Sequence, residues 1–79
     1  MITMIYRGWE IEALPELDPE NHQWLVRLKI TRHERGICFS KHFSLPETFP
    51  TQKETINHCW DYGQKIIDAE ITDFLKANH

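Results

Sequence analysis

The sequence predicts an α+β fold, in which one long C-terminal α-helix packs on a three-stranded antiparallel β-sheet in the order β-β-β-α. Three segments alternate apolar and polar residues, as half-buried strands do, and a final segment repeats apolar residues every three or four positions, as an amphipathic helix does. The 79 residues suit a single domain, 1–79. A chain of this size removes only about 60% of its surface from water, so we expect nearly every large apolar side chain in the core.

The first two strands follow from apolar residues at alternate positions. In RGWEIEAL every second residue from Trp9 to Ala13 is apolar, which is typical of a strand buried on one face. The next segment, PELDPENH, has two prolines, which lack the amide hydrogen of a sheet ladder, so we expect a turn or loop. In QWLVRLKIT the alternation resumes from Trp24 to Ile30, which predicts the second strand, with Arg27 on its outer face.

The third strand is expected to return from a hairpin. The segment RHERG contains Gly36, which tolerates the positive φ of a tight turn. In ICFSKHFSL, the residues expected to face the core are Ile37, Phe39, Phe43 and Leu45. Lys41 falls in the same inward register, which indicates an edge strand, a bulge or a side chain that extends past the rim of the core.

The C-terminal helix has both a start signal and a buried stripe. Thr51 and Glu54 form the pattern of a capping box, in which the threonine hydroxyl accepts a hydrogen bond from the Glu54 amide. The stripe that follows consists of Ile56, Cys59, Trp60, Gly63, Ile66, Ile67, Ile71 and Phe74. Glycine costs about 1 kcal/mol inside a helix, so Gly63 indicates that the helix backbone approaches the sheet closely there, with a tryptophan as one candidate for the contact.

The predicted helix is longer than the strands. From Gln52 to Asn78 it would extend about 40 Å, whereas strands of seven or eight residues span roughly 25 Å. Either the helix breaks near Glu70 or its end extends past the sheet. Glu70 lies on the buried side of the helical wheel, which favours a change of packing partner there. The resulting prediction is a homodimer through the end of the helix, at Ile71, Phe74 and Leu75.

The segment NHCWDYGQKIID concentrates reactive residue types, but the helix separates them. Adjacent helical residues are 100° apart, so we expect Cys59 to be a small buried residue and His58 to face water. The chain has no CxxC pair, no His-x₃-His on one helix face and no glycine-rich phosphate loop. We therefore expect neither a metal site nor a cofactor.

Cys38, Ser40 and His42 share the outer face of strand three, and these residue types act as nucleophile and base in some enzymes. Their Cα atoms are about 6.6 Å apart from one to the next, and no acid lies near in sequence to orient the imidazole. Glu10 or Glu12 on a neighbouring strand would have to do so. A solvated polar face explains the same residues, and the sequence predicts no enzyme.

The formal net charge of −3 is unevenly distributed. Residues 10–20 include five acids and no base, whereas residues 27–41 are rich in bases. The candidate contacts to phosphate groups or to an acidic partner are Arg27, Lys29, Arg32, His33, Arg35 and Lys41. Cross-strand pairing of Glu10 and Glu12 with the first two of these bases is a simpler explanation of part of the pattern.

The segments YRGWEI, QWLVRLKI and TFPTQKETINHCWDYGQKIID resemble those of a group of small bacterial β-β-β-α proteins of unknown function, over nearly the whole chain. This resemblance implies a fold but no activity. The layout is also similar to double-stranded-RNA-binding domains and to the β-β-β-α part of HicB-like antitoxins. The sequence departs from both families, because the lysine cluster of the RNA-binding domain is reduced to Lys53 and Thr55 replaces the alanine of the antitoxin pattern.

Together these patterns predict a small cytoplasmic interaction module without enzymatic activity, whose partner is another protein or a second copy of the chain. No apolar stretch approaches the ~20 residues of a membrane span, the first residues lack a cleavage site, and the cysteines form no disulfide framework. The alternative is nucleic-acid binding through the basic hairpin between strands two and three, against which the overall acidic charge counts.

Overall fold

The computed structural model describes residues 2–77, with backbone only for residues 73–77. Within this range the elements are β1 (Ile2–Tyr6), β2 (Trp9–Ala13), β3 (Glu16–Asp18), β4 (Gln23–Glu34), β5 (Ile37–Phe49) and α1 (Gln52–Ala77). The predicted α+β class, antiparallel sheet and C-terminal helix are confirmed. The prediction of three strands is wrong, because the sheet has five.

Strand β4 is the centre of the sheet. Strands β2 and β3 pair with different parts of one side of β4, and β5 pairs with its other side. Strand β1 pairs with the outer side of β2, and every pairing is antiparallel. The order across the widest part of the sheet is therefore β1-β2-β4-β5, with β1 and β5 at its edges.

Both additional strands lie where the sequence showed no regular alternation. Strand β1 joins β2 through Arg7 and Gly8, whose φ values of 53° and 85° are those of a two-residue hairpin turn. Strand β3 lies inside the segment predicted to be a loop. It is only three residues long, between Pro15 and Pro19, and it exists because β4 offers backbone partners at residues 23–25.

The core lies between α1 and the sheet face that it covers. Its fully buried apolar members are Ile11, Ala13, Val26, Leu28, Ile30, Cys59 and Ile67. Gly63 lies directly over Ile11, since a Cβ atom at residue 63 would be 2.8 Å from Cγ2 of Ile11. The close approach is confirmed, with an isoleucine rather than a tryptophan beneath the helix.

The start of α1 is capped as predicted. The Glu54 amide donates to Oγ1 of Thr51 at 3.2 Å, and the Thr51 hydroxyl donates to the Glu54 carboxylate at 3.0 Å. The helix continues without a break past Glu70 to Ala77. The predicted strand length is wrong, because β4 and β5 have 12 and 13 residues rather than seven or eight and are about as long as the helix. Ile71 is half-buried, whereas the side chains of Phe74 and Leu75 lie outside the described residues.

The far end of the β4–β5 hairpin is not covered by the helix. Ile37 and Phe39, both expected in the core, are 56% and 49% exposed. The physical reason is strand length: β4 and β5 have 12 and 13 residues and β2 has five, so the end of the hairpin projects past its neighbours. Within residues 2–77, no helix is both long and apolar enough to cross a membrane.

Candidate functional site: the β4–β5 hairpin

The six predicted basic residues do not form one patch. Successive residues of a strand point to opposite faces of a sheet, so β4 divides its own side chains. Arg27, Lys29 and His33 lie on the open face, which is the face that α1 does not cover, whereas Arg32 faces the helix side. Lys41 also faces the helix side, on β5 opposite Ile30. Arg35 lies in the turn.

On the open face, each basic side chain is beside an acid. Arg27 pairs with Glu16 at 2.9 Å. The Lys29 ammonium lies 3.6 Å from Glu12, which faces it across the β2–β4 ladder and is only 9% exposed. Cross-strand pairing therefore accounts for these charges, although Arg27 pairs with an acid of β3 rather than of β2.

On the helix side, the end of the hairpin forms an open groove around Arg32, whose guanidinium lies 3.5 Å from the Glu34 carboxylate. The guanidinium carbon of Arg32 lies 5.4 Å from the ring centroid of Trp9 and 5.0 Å from that of Phe39, which are cation–π distances. The Lys41 ammonium lies 5.5 Å from the ring of Phe43. Ile66 and Glu70 of α1 form the opposite wall.

The outer side of β5 has no strand paired with it among residues 2–77. The Leu14 amide donates to the Arg27 carbonyl at 2.8 Å, so the backbone of Arg27 points toward β2. Backbone groups alternate along an antiparallel strand, so Leu28 and Ile30 of β4 bond to β5 instead. On β5, the backbone amide and carbonyl groups of Lys41 and Phe43 then point toward β4. Those of the even-numbered neighbours, such as Ser40 and His42, point away from the sheet.

The thiol of Cys38 has an imidazole neighbour that the sequence reading missed. Its Sγ atom lies 3.0 Å from Nδ1 of His33, the residue directly opposite on β4, and Nε2 of that histidine lies 3.4 Å from Glu10. The residues considered earlier are elsewhere: Ser40 hydrogen-bonds with Thr31, and His42 faces Lys29.

The other cysteine and the helix histidine are structural. Cys59 is fully buried, as predicted, and its thiol donates to the Arg27 carbonyl at 3.4 Å. Burial raises the pKa of this thiol. His58 does not face open water as predicted, because its ring packs against Phe49 with 5.1 Å between centroids and is half-buried.

Asp68 links α1 to the β1–β2 turn, a contact that sequence reasoning also missed. Its carboxylate accepts hydrogen bonds from Arg7 at 2.9 Å and from the Tyr6 hydroxyl at 3.0 Å. These two donors lower the pKa of Asp68, the guanidinium having the larger effect, and the carboxylate raises the pKa of Tyr6.

The described side chains contain no group of three or more His, Cys, Asp or Glu residues placed to hold a metal ion. Comparison of the chain with protein-family models, curated proteins and solved structures found no match. The resemblances proposed from sequence motifs therefore stay predictions, and the surfaces described above are the basis for a functional proposal.

Proposed function

We propose that this chain is a non-enzymatic interaction module that binds an extended segment of a partner protein as an additional strand along β5. The observation that carries the proposal is the edge of β5 at residues 37–45, which has only one neighbour in the described sheet and precedes Pro46, a residue without an amide hydrogen. An edge of this kind presents a row of amide donors and carbonyl acceptors, which other chains pair with readily. The opposite edge, β1, has five residues and offers a much shorter template.

The side chains of β5 define the chemistry of the partner segment. On the helix side, the exposed Ile37 and Phe39 and the half-buried Phe43 flank Lys41. Among the described side chains, Lys41 makes no ion pair with an acid. The complementary strand has apolar residues on the side that meets this row and an acidic residue opposite Lys41.

The experiment is selection of short linear peptides from a display library on the full chain, followed by affinity measurements on two variants. Ser40→Pro removes an amide that points outward and keeps the backbone hydrogen bonds of the β4–β5 ladder, because proline is tolerated at a sheet edge. It also removes the Ser40–Thr31 side-chain hydrogen bond, so Ser40→Ala is measured beside it. Lys41→Glu reverses the charge at the centre of the row. We expect the selected peptides to have an apolar residue at every second position and an acid near the centre. Ser40→Pro and Lys41→Glu should each lower the affinity for these peptides by at least about tenfold.

Lys53→Glu is the matched control. Lys53 is exposed in the first turn of α1 and, like Lys41, makes no ion pair among the described side chains. The substitution makes the same charge change away from β5, and we expect affinity to be retained. Peptides that bind Ser40→Pro and Lys41→Glu as tightly as the unchanged chain would refute strand addition at β5.

Two further measurements separate this proposal from its competitors. Sedimentation of the free protein tests whether the partner is a second copy, including the predicted homodimer at the end of α1. Titration with duplex RNA and DNA over a range of salt concentrations tests the nucleic-acid alternative. Binding that weakens with salt and is lost in an Arg32→Glu/Arg35→Glu variant would replace the protein partner with a nucleic acid. We also propose a cytoplasmic location, because cytosolic proteins rarely have structural disulfides and both Cys38 and Cys59 are free.

A further inference from the structure

Three adjacent strands place a carboxylate, an imidazole and a thiol in line on the open face. Glu10 comes from β2, His33 from β4 and Cys38 from β5. The distances are 3.4 Å from the Glu10 carboxylate to Nε2 of His33, and 3.0 Å from Nδ1 of His33 to the sulfur. Because hydrogen-bonded ladders hold the three strands, this order is a property of the sheet.

The arrangement assigns each nitrogen of the imidazole a role. The Glu10 carboxylate lies 3.4 Å from Nε2 of His33, and its negative charge favours the tautomer with the proton on that nitrogen. Nδ1 then has a free lone pair directed at the Cys38 thiol. A nucleophile beside a base, with the base oriented by a third group, is the general pattern of an activated side chain.

We propose that Cys38 is a reactive thiol that is modified by low-molecular-weight disulfides, with His33 as its base and Glu10 as a positioning residue. The thiol proton passes to Nδ1 of His33 as the Cys38 sulfur attacks one sulfur of the disulfide. The new S–S bond forms while the old one breaks. The departing thiolate then takes the proton from the imidazolium, which leaves a protein mixed disulfide and one free thiol.

The burial of the second cysteine restricts the modification to Cys38. Cys38 is exposed, whereas Cys59 is fully buried under α1 and donates to a backbone carbonyl. Reaction depends on access and on the thiolate form, and Cys59 is disfavoured in both respects. We therefore expect modification of one thiol per folded chain.

Several other charged groups face this site. Arg35 lies in the turn beside His33, and the Lys29–Glu12 pair lies further along the same face, with His42 opposite Lys29. Strand β1 contributes the apolar Ile5 opposite Glu10. The helix lies on the other face of the sheet, and at the end of the sheet its Glu70 lines one pocket with His33, Arg7, Arg32 and Glu34. Of these groups, only the imidazole of His33 contacts the sulfur.

The test is the rate of mixed-disulfide formation with oxidised glutathione, followed by intact mass. We expect addition of one glutathione to the folded chain and none to Cys38→Ser. His33→Gln removes the base that takes the thiol proton, so we expect this variant to react about threefold more slowly than the unchanged chain at neutral pH.

Three controls keep the result interpretable. His42→Gln removes the other imidazole of the open face of the hairpin and is expected to leave the rate unchanged. Glu10→Gln is expected to react at an intermediate rate and, like His33→Gln, to move the rate–pH profile to higher pH, which a purely structural role would not do. In denaturant the Cys38 rates of all variants should be equal. The ratio of the native rate to the rate in denaturant then measures the effect of the folded arrangement on Cys38.

Equal rates for the unchanged chain and His33→Gln under native conditions would overturn the proposal. So would modification of Cys59 at the same rate as Cys38 in the folded chain.

Discussion

The contact between Gly63 and Ile11 makes Gly63→Ala a demanding test of the packing. A Cβ atom at residue 63 would lie 2.8 Å from Cγ2 and 2.9 Å from Cδ1 of Ile11, whereas carbon atoms in good contact are about 3.5–4.0 Å apart. Ile11 is fully buried and branched at Cβ, so it cannot turn away freely. The helix must therefore lift from the sheet by about 0.5 Å or more.

Two opposing effects set the size of the change. Replacing glycine by alanine inside a helix raises the free energy of unfolding by about 1 kcal/mol. Overpacking of a core lowers it by about 1–3 kcal/mol. We expect Gly63→Ala to lose about 1 kcal/mol net, which lowers the melting temperature by about 4–8 °C in a domain of this size. Gly63→Leu, with a larger side chain at the same point, should unfold the domain.

Thermal and urea unfolding, followed by circular dichroism, measure this difference. Ala69→Gly is the control, because Ala69 is exposed on the same helix and reports the helix propensity alone. On an Ile11→Ala background the obstruction is absent, and Gly63→Ala should become stabilising. A higher melting temperature for Gly63→Ala in the otherwise unchanged chain, or the same effect on both backgrounds, would contradict a steric conflict with Ile11.

Two further predictions concern α1: its contact with the β1–β2 turn through Asp68 and the cap at its first turn. Asp68→Asn should lower the melting temperature near neutral pH. The donors from Arg7 and Tyr6 lower the pKa of Asp68 in the folded chain, so its stabilising contribution is complete above the ordinary carboxyl range near about pH 4 and is lost as the pH falls through the folded value. Melting curves at decreasing pH should therefore show the two proteins converging in acid, and a constant difference would contradict this origin. Thr51→Ala removes the cap of α1 and should cost about 1 kcal/mol in urea unfolding, whereas Thr51→Ser should cost much less; equal losses would exclude the hydroxyl as the cap.

The helix was predictable because its signals are local. The capping box and the apolar stripe both lie within the segment that they describe, and the helix begins at Gln52 as expected. Strand β1 was not predictable from alternation, since Ile2, Met4 and Tyr6 share one face while Ile5 lies on the other. Strand β3 depends on backbone partners supplied by β4, which no local pattern reveals.

The thiol–imidazole contact was within reach of the sequence but required the register of the hairpin. Arg35 and Gly36 both have positive φ, 50° and 78°, as in a two-residue turn between paired strands. That turn sets Glu34 opposite Ile37, and hence His33 opposite Cys38. Reading neighbours along strand three instead of across the turn led to His42. The third member, Glu10, also required the pairing of β2 with β4.

The side chains substituted to test the two proposals lie on opposite faces of the hairpin, so the proposals can be tested separately. Lys41 and Phe39 point toward the helix side, and Cys38 points to the open face. Since successive residues of a strand point to opposite faces of the sheet, Lys41→Glu should abolish selection of acidic peptides without changing the rate of glutathione addition. His33→Gln should slow that addition and leave peptide affinity unchanged. If either substitution altered both measurements, the hairpin would respond as one cooperative unit, and the separation by faces would be wrong.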